Sequence, residues 1–321
     1  MRRLVVWLVF TLALFGNTAE VMETYRTQGL DAAEALLDEK LGEAAYWRER
    51  LADINTTYGF YETPKDVMVC DKNATQFVLF RYRTGTLERI SEYNATVGEI
   101  RGDKQEEGDL RTPVGVYDLT SKLKEVDPFY GPFAYVTSYP NLLDKKMDKN
   151  GHGIWVHGFP LNGDRTDRTK GCIALKNHNL TDLDQHLDYK HSILMVNEAG
   201  VMKAKKEEIA RIIAMLYRWR NAWKNGDIEA YLSFYHPEFT RYDGMKRKQF
   251  VAMKRYLFNR VEKKEILVRN LEVIPYPNSY GKKLYRVRFH ESYRAPNHRF
   301  DGTKELYVVV APDGETILLE R

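Results

Sequence analysis

Short apolar runs occupy the middle of the chain from about residue 64. Gly, Pro, Asn or Asp separate many of them, which is typical of strands joined by turns. The runs are Val67–Cys70, Phe77–Phe80, Val114–Tyr117, Phe133–Val136, Ile154–Val156 and Ile193–Val196. Because few helical segments lie between them, the pattern predicts a mostly antiparallel sheet or sandwich. The charged stretch 101–109 is predicted to be a solvated loop.

Helical periodicity flanks this strand-rich region on both sides. Residues 20 to about 60 are predicted to be helical, and Asp31 can cap the helix that follows it. These helices could cover the strand-rich region or form a dimer contact. After a linker at 197–200, apolar residues from Ile209 to Trp223 recur at helical spacing, and Gly226 is expected to end that helix.

The end of the chain combines helices with a final group of strands. Two more helices are predicted over 227–235 and 248–261. Strands follow at 285–293, 306–310 and 316–319, and a Pro-Asp-Gly hairpin signal joins the last two. Helices followed by a curved antiparallel sheet predict an α+β cone.

Length, charge and cysteine content narrow the class of protein. At 321 residues the chain is expected to hold two domains. The net charge of +4 is a mild excess without a dense Lys/Arg block, so nucleic acid is not an expected partner. The sequence has two cysteines and lacks CxxC, HExxH and Cys/His zinc spacings, so no metal or other cofactor is predicted.

The N-terminus has the features of an export signal. Arg2 and Arg3 precede an apolar run over residues 4–15, which is too short to span a bilayer comfortably. Residues 17–19 form an imperfect cleavage site, and an uncleaved anchor is the alternative. Either reading places the rest of the chain outside the cytoplasm.

One segment carries the groups of a cysteine enzyme. His157-Gly158 ends a predicted strand, and Gly171-Cys172 follows a polar loop. A histidine can take the proton of a thiol and return it to a leaving amine. A glycine before the nucleophile lets substrate approach and leaves backbone N–H groups to face a developing oxyanion. The alternative for Cys172 is a buried structural thiol or a disulfide with Cys70.

Three cations lie near this cysteine in sequence, namely Arg165, Arg168 and Lys170. Positive charge there would stabilise a thiolate and attract a substrate carboxylate. The alternative is that these side chains only solvate the loop. His152 is predicted to be a loop or rim residue rather than a second base.

These motifs resemble the L,D-transpeptidase catalytic domain, also called the YkuD domain, over about residues 65–197. That family has a His-Gly, a variable loop and Ser/Thr-x-Gly-Cys, matched here by His157-Gly158 and by residues 169–172. Residues 112–115 look like its Thr-Pro-x-Gly turn. The commonest family motif has His in place of Lys170, which weakens any argument that this chain handles the commonest acceptor.

The resemblance implies a role for each residue of the motif. Cys172 would be the nucleophile and His157 the general base, and the carbonyl of Gly158 would orient the imidazole. The N–H groups of Gly171 and Cys172 would form the oxyanion hole, and Thr169 would support the loop.

Residues from about 205 to 321 resemble an NTF2-like domain through the aromatic-rich runs at 219–223 and 231–235. This order of domains is similar to the L,D-carboxypeptidases that set helical cell shape in Helicobacter and Campylobacter. The implied fold is an α+β multidomain protein with a mostly-β YkuD-type catalytic sandwich and an NTF2-like cone. Its expected parts are a signal peptide at 1–19, a helical segment at 20–62, a catalytic domain at 63–199 and a cone at 204–321.

The implied activity is removal of the terminal D-Ala that follows meso-diaminopimelate in a peptidoglycan tetrapeptide stem, through a thioester. The expected location is the periplasm, the product is a tripeptide stem, and a homodimer through the N-terminal helices is also implied. The first alternative is an L,D-transpeptidase, in which an amine instead of water resolves the acyl-enzyme. The second is a non-catalytic peptidoglycan-binding protein that uses the C-terminal domain.

Overall fold

The computed structural model describes residues 18–162, 168–198, 200–260 and 262–321. Residues 1–17 of the expected signal peptide and the candidate substrate-binding Arg165 lie outside these ranges. The helices are 18–28 (α1), Leu30–Leu41 (α2), Ala44–Arg50 (α3), Leu142–Lys146 (α4), Asn177–His186 (α5), Lys206–Asn225 (α6), Ile228–Ser233 (α7) and Arg247–Phe258 (α8). The strands are Phe60–Tyr61 (β1), Lys65–Asp71 (β2), Gln76–Arg83 (β3), Thr86–Thr96 (β4), Gly115–Tyr117 (β5), Leu119–Leu123 (β6), Ala134–Thr137 (β7), Trp155–His157 (β8), Ile173–Leu175 (β9), Ser192–Asn197 (β10), Tyr235–Arg241 (β11), Glu265–Tyr276 (β12), Leu284–Ala295 (β13), His298–Ala311 (β14) and Gly314–Glu320 (β15).

The catalytic region is built on one mixed sheet. Within the described residues it has nine strands in the order β5-β10-β2-β3-β4-β9-β8-β7-β6. All six strands predicted for this region are present, and β4, β6 and β9 are additional. Most neighbours run antiparallel, as predicted, but β10 pairs with β2 in parallel and β8 pairs with β9 in parallel.

Side-chain alternation along β2 supplies two separate cores. Met68 and Cys70 pack into one core of the catalytic region, and both are fully buried. Val67 and Val69 point to the other face and pack with residues of the C-terminal domain. A strand that is apolar on both faces must be covered on both faces, and here the second cover is the C-terminal sheet.

The N-terminal helices differ from the prediction at two points. Gly29, with φ of 90°, separates α1 from α2, so Asp31 lies in the first turn of α2 and is not its cap. The helical segment also ends at Arg50 rather than near residue 60. The helices pack on α6, where Trp47 stacks on Tyr217 with ring centroids 5.5 Å apart. No described helix combines the length and apolarity of a membrane span.

The C-terminal domain is the predicted combination of helices and a curved sheet. Its described strands follow the order β1-β12-β13-β14-β15-β11, and β1 comes from the segment before the catalytic sheet. The three helices α6, α7 and α8 match the predicted ones, and Gly226 ends α6 in a left-handed conformation. Strands β11 and β12 were not predicted from the sequence. One face of this sheet packs against α6 and forms a large apolar core.

The opposite face of the C-terminal sheet packs directly on the catalytic sheet. Ile274 and Tyr307 share an apolar cluster with Val67 of the catalytic sheet. Around this cluster, Asp118 accepts hydrogen bonds from Arg286 at 3.2 Å and from Arg288 at 2.7 Å. A continuous apolar core bordered by ion pairs fixes the orientation of the two domains.

The stretch 101–109 is not the simple solvated loop that was predicted. Asp103 is 7% exposed and accepts hydrogen bonds from Lys149 at 2.7 Å, from Ser279 at 2.7 Å and from the backbone N–H of Val114 at 2.8 Å. Lys104 is 3% exposed and pairs with an acidic residue of the same loop. The prediction failed because the whole charged run was taken as exposed, whereas Asp103 and Lys104 are buried and paired.

Candidate active site

The two central residues of the motif are brought together by the parallel pairing of β8 and β9. In this register Val156 lies opposite Ile173, and His157 lies opposite Ala174. Val156 and Ile173 both point into the catalytic core. Cys172 immediately precedes Ile173, so strand alternation places its side chain on the same face as that of His157.

The ring of His157 is held by a hydrogen bond to the residue that follows it. The ring is fully buried, and its Nδ1 lies 2.7 Å from the carbonyl oxygen of Gly158. A carbonyl only accepts hydrogen bonds, so Nδ1 carries the proton and Nε2 is the basic nitrogen of the neutral ring. The edge of the Tyr130 ring meets the imidazole at 5.0 Å between centroids. The hydrogen bond on which the expected orienting role of Gly158 depends is therefore present.

The turn after His157 is clamped from two sides. The N–H of Gly158 donates to the carbonyl of Tyr130 at 2.9 Å. The N–H of Phe159 donates to Oδ1 of Asn177 at 2.8 Å. A Cβ built on Gly158 would lie 2.3 Å from that same Oδ1, so only glycine fits this position.

The two cysteines have different environments, and both are thiols. Cys70 is fully buried, and burial raises the pKa of its thiol to about 12. Cys172 is half-buried, and its Sγ donates to the carbonyl of Gly153 at 3.3 Å. The alternative of a Cys70–Cys172 disulfide is therefore excluded by this structure.

Thr169 supports the loop that precedes Cys172. Its backbone pairs with the continuation of β4, since its N–H donates to the carbonyl of Val97 at 2.9 Å. Its Oγ1 donates to the carbonyl of Cys172 at 2.7 Å and accepts from the N–H of Gly171 at 3.1 Å. The hydroxyl therefore closes the loop. It also accepts the hydrogen bond of the Gly171 N–H, which was expected to face the substrate.

The Thr-Pro-x-Gly turn at residues 112–115 supports the loop that precedes Cys172. Oγ1 of Thr112 accepts from the N–H of Gly98 at 2.8 Å, and Gly98 in turn bridges to Thr169. Nζ of Lys72 donates to the carbonyl of Thr112 at 2.8 Å. Gly171 has φ of 132°, and a Cβ there would lie 2.8 Å from the carbonyl of Arg111. A side chain at Gly171 would therefore push the nucleophile loop off its support.

Of the three candidate substrate-binding cations, the structure describes two. Arg168 and Lys170 are exposed. The side chain of His152 is 81% exposed, in a loop, as predicted for a rim residue. In the part of the chain that the structure describes, no group of three or more His, Cys, Asp or Glu side chains has metal-site geometry.

A second polar site lies inside the C-terminal cone. A cavity of about 390 Å³ is lined by Trp223 and Lys254, among others. Deeper in the cone, Lys304 pairs with Glu320 at 2.6 Å, and the hydroxyl of Tyr235 donates to the same carboxylate at 2.8 Å. Burial lowers the pKa of Lys254 to about 8, because desolvation disfavours its charged form.

Sequence reasoning missed three residues that shape the catalytic site, namely Tyr130, Lys72 and Asn177. Asn177 lies five residues after Cys172 and begins α5, a helix that the sequence analysis did not identify. A helical pattern starting directly after the motif would have been the signal. For Lys72 and Tyr130 the local sequence carries no such signal, since both act through backbone contacts made across the fold.

Comparison with known proteins agrees with this architecture. The family model of the L,D-transpeptidase catalytic domain (YkuD) matches residues 65–195, and that of the Cds6 C-terminal NTF2-like domain matches residues 211–321. The crystal structure of Pgp2 from Campylobacter jejuni, described as a helical cell shape determining protein, is 41% identical. It covers 87% of this chain and 99% of its own, with a TM-score of 0.83. Bd1075 from Bdellovibrio bacteriovorus is 25% identical and covers 83% of this chain and 96% of its own, with a TM-score of 0.67. Among curated protein sequences, none matches the chain.

Proposed function

Because the chain belongs to the YkuD family of L,D-transpeptidase catalytic domains, in the group that includes Campylobacter Pgp2, we propose that it is a cysteine L,D-carboxypeptidase. Its substrate is the tetrapeptide stem of peptidoglycan, and it removes the terminal D-Ala to leave a tripeptide. The enzyme acts in the periplasm after export, and trimming of stems is its route to an effect on cell shape.

The observation that carries this proposal is the parallel pairing of β8 with β9, which places His157 of β8 and Cys172, directly before β9, on one face. Nδ1 of the imidazole is committed to the carbonyl of Gly158, which reserves Nε2 for proton transfer. A thiol and a fixed basic nitrogen on one face are the parts that cysteine acyl transfer requires.

In the proposed reaction, Sγ of Cys172 attacks the carbonyl carbon at the L-centre of meso-diaminopimelate. Nε2 of His157 takes the thiol proton and gives it to the departing amine of D-Ala as the C–N bond breaks. The product of this half is a thioester. Water, deprotonated by the same imidazole, then hydrolyses the thioester and restores the thiol.

The oxyanion is assigned to the N–H of Cys172. The N–H of Gly171 can join it only by leaving Oγ1 of Thr169, to which it donates in this structure. Arg168, Lys170 and Arg165 are proposed to attract the carboxylates of the stem.

The test is incubation of the purified protein with tetrapeptide muropeptides, followed by separation of the products. We expect a tripeptide and D-Ala released as the amino acid. Crosslinked dimers or D-amino-acid exchange would instead identify a transpeptidase, which shares the first half-reaction. Binding to sacculi without any product would identify a non-catalytic protein.

Cysteine variants provide the matched control for this assay. Cys172→Ala should lower turnover by at least ~10³-fold, because the nucleophile is lost. Cys70→Ala removes a thiol of the same protein from the catalytic core and should retain turnover. Equal activity of the two variants would overturn the assignment of Cys172.

A homodimer through the N-terminal helices is proposed as the assembly. Met22 and Tyr25 of α1 are 62% and 54% exposed, which leaves apolar area for a second copy. Light scattering of the exported chain should give twice the monomer mass. Deletion of residues 20–28 should give the monomer mass if these helices make the contact.

A further inference from the structure

We infer that Asn177 is a positioning residue that ties the strand of the nucleophile to the turn of the general base. This inference rests on the proposed function, because it assigns Asn177 to the same Cys172–His157 pair. It concerns a side chain that touches neither the thiol nor the imidazole in the contacts described above. Its influence is transmitted through the backbone of Gly158 and Phe159.

The first step of the argument is the place of Asn177 in the chain. Strand β9 ends at Leu175, and α5 begins at Asn177 after a single intervening residue. Cys172 lies on the other side of this three-residue strand. Any shift of β9 along the sheet therefore moves Cys172 and Asn177 together.

The second step is what Oδ1 of Asn177 contacts. It accepts a hydrogen bond from the N–H of Phe159 at 2.8 Å. The Gly158–Phe159 peptide consists of the carbonyl of Gly158 and this N–H, so it is held at both ends. Its oxygen meets Nδ1 of His157 at 2.7 Å, and its nitrogen meets Asn177. Because a peptide group is planar, fixing its N–H also fixes the direction of its carbonyl.

The third step is the packing around this peptide. A Cβ on Gly158 would lie 2.3 Å from Oδ1 of Asn177, and a Cβ on Gly131 would lie 2.7 Å from the same oxygen. Two glycines thus make room for one amide oxygen. Gly131 has φ of 81°, in the left-handed region that favours glycine. The turn after Tyr130, the turn after His157 and the start of α5 therefore meet at Asn177.

These contacts assign a function to the amide oxygen. Without it, the N–H of Phe159 loses this hydrogen bond, and the carbonyl of Gly158 is held less firmly toward Nδ1. The imidazole then loses its defined tautomer and orientation, and proton transfer from Cys172 becomes less effective. The expected defect lies in kcat more than in KM, because the cleft surface that binds the stem is retained.

The test compares Asn177→Leu with Asn177→Asp. Leucine fills a similar volume without an acceptor, whereas aspartate keeps an acceptor oxygen in the same place. We expect Asn177→Leu to lose about 10- to 100-fold in kcat with KM within about twofold. Asn177→Asp should recover most of that loss. His178→Ala, at the exposed next position of α5, is the matched control and should behave as the parent.

A second measurement does not depend on peptidoglycan. The alkylation rate of Cys172 by iodoacetamide reports how readily its thiolate forms. Asn177→Leu should slow alkylation at pH 7 by about 10-fold but not at pH 9.5, where hydroxide replaces the imidazole as base. Cys70 does not interfere, since burial raises the pKa of its thiol to about 12.

The outcomes separate the inference from the proposed function. Normal kcat and a normal alkylation profile in Asn177→Leu would overturn the positioning role. A parent protein that cuts no stem but shows the pH-dependent alkylation defect in Asn177→Leu would overturn the proposed substrate and support the positioning role. Equal losses in Asn177→Leu and Asn177→Asp, with lowered melting temperatures, would show a merely structural role and would also overturn it.

Discussion

The candidate active site around His157, Thr169 and Cys172 (the cleft) and the interior of the C-terminal cone place polar groups by different means. In the cleft, backbone groups hold the side chains that matter, as the carbonyl of Gly158 holds His157 and the strand continuation holds Thr169. In the cone, charged side chains hold one another among aromatic rings, as Lys304 holds Glu320. Nζ of Lys304 lies 5.4 Å from the centroid of the Trp223 ring.

This difference predicts which substitutions each region tolerates. Backbone positioning depends on glycines and register, so the cleft should be sensitive to small changes of shape and less sensitive to charge. Mutual pairing of charges requires a positive side chain for each buried negative one. The cone should therefore be destabilised when one member of a charged pair is lost. The two regions are joined by a continuous apolar core, and neither should shift as a rigid body against the other.

Among the predictions that compare the two regions, the largest effect is expected at the turn after His157. Gly158→Ala places a methyl group 2.3 Å from Oδ1 of Asn177 and must displace either the turn or α5. We expect kcat to fall about 100-fold and the free energy of unfolding to fall by about 1–3 kcal/mol. Stem cleavage and chemical denaturation measure the two effects.

The matched control for this substitution is Gly42→Ala. Gly42 ends α2 with φ of −78°, and a Cβ there meets the flexible Cγ of Arg218 at 3.0 Å. It should change neither kcat nor the unfolding free energy by a measurable amount. If Gly158→Ala were as active as Gly42→Ala, the cleft would not depend on backbone shape as argued here.

A smaller effect is expected when the charge balance of the cone is broken. Lys304→Met leaves the carboxylate of Glu320 buried without its paired cation, which should cost about 2–3 kcal/mol of unfolding free energy. The exposed pair of Lys282 and Glu238 is the control, and Lys282→Met should cost less than about 0.5 kcal/mol. Retained kcat in Lys304→Met would support the contrast with the cleft. A fall in kcat as large as that of Gly158→Ala would contradict this contrast.

The local parts of the candidate site were predictable because each is short and continuous in sequence. The His157-Gly158 turn and the Thr169–Cys172 loop carry their residue types at fixed offsets. Their meeting was not derivable from pattern alone, since it depends on a parallel pairing of β8 with a three-residue strand, β9. So short a strand between two loops has too few residues to show an alternation.

The contact between the domains had a sequence signal that was not used. Val67-Met68-Val69-Cys70 is apolar at every position, which indicates a strand covered on both faces. The sequence analysis did not draw this conclusion and did not anticipate that the C-terminal sheet covers Val67 and Val69. The buried charge of Asp103 was missed for the same reason, since its partners Lys149 and Ser279 are distant in sequence.

The smallest predicted effect concerns Lys254 of the cone. Burial disfavours its charge, so removal of that charge should raise the unfolding free energy, unlike the loss of Lys304. Desolvation lowers the pKa of Lys254 from 10.5 to about 8. Between these values the folded state has released the proton and the unfolded state still binds it, so the unfolding free energy rises with pH from 8 to 10.5. Below pH 8 the folded protein carries the full cost of the buried charge. Lys254→Met should therefore be more stable than the parent at pH 7 by about 1 kcal/mol.

Aromatic contacts limit the size of this gain. Nζ of Lys254 lies 5.0 Å from the ring centroid of Trp223 and 5.1 Å from that of Tyr231, and both contacts favour the charged form. The advantage of Lys254→Met should shrink toward pH 10, whereas Lys248→Met, exposed on the same helix, should show no such trend. Denaturation of the three proteins at pH 7 and pH 10 measures this. A less stable Lys254→Met at pH 7 would mean that the rings compensate the buried charge fully.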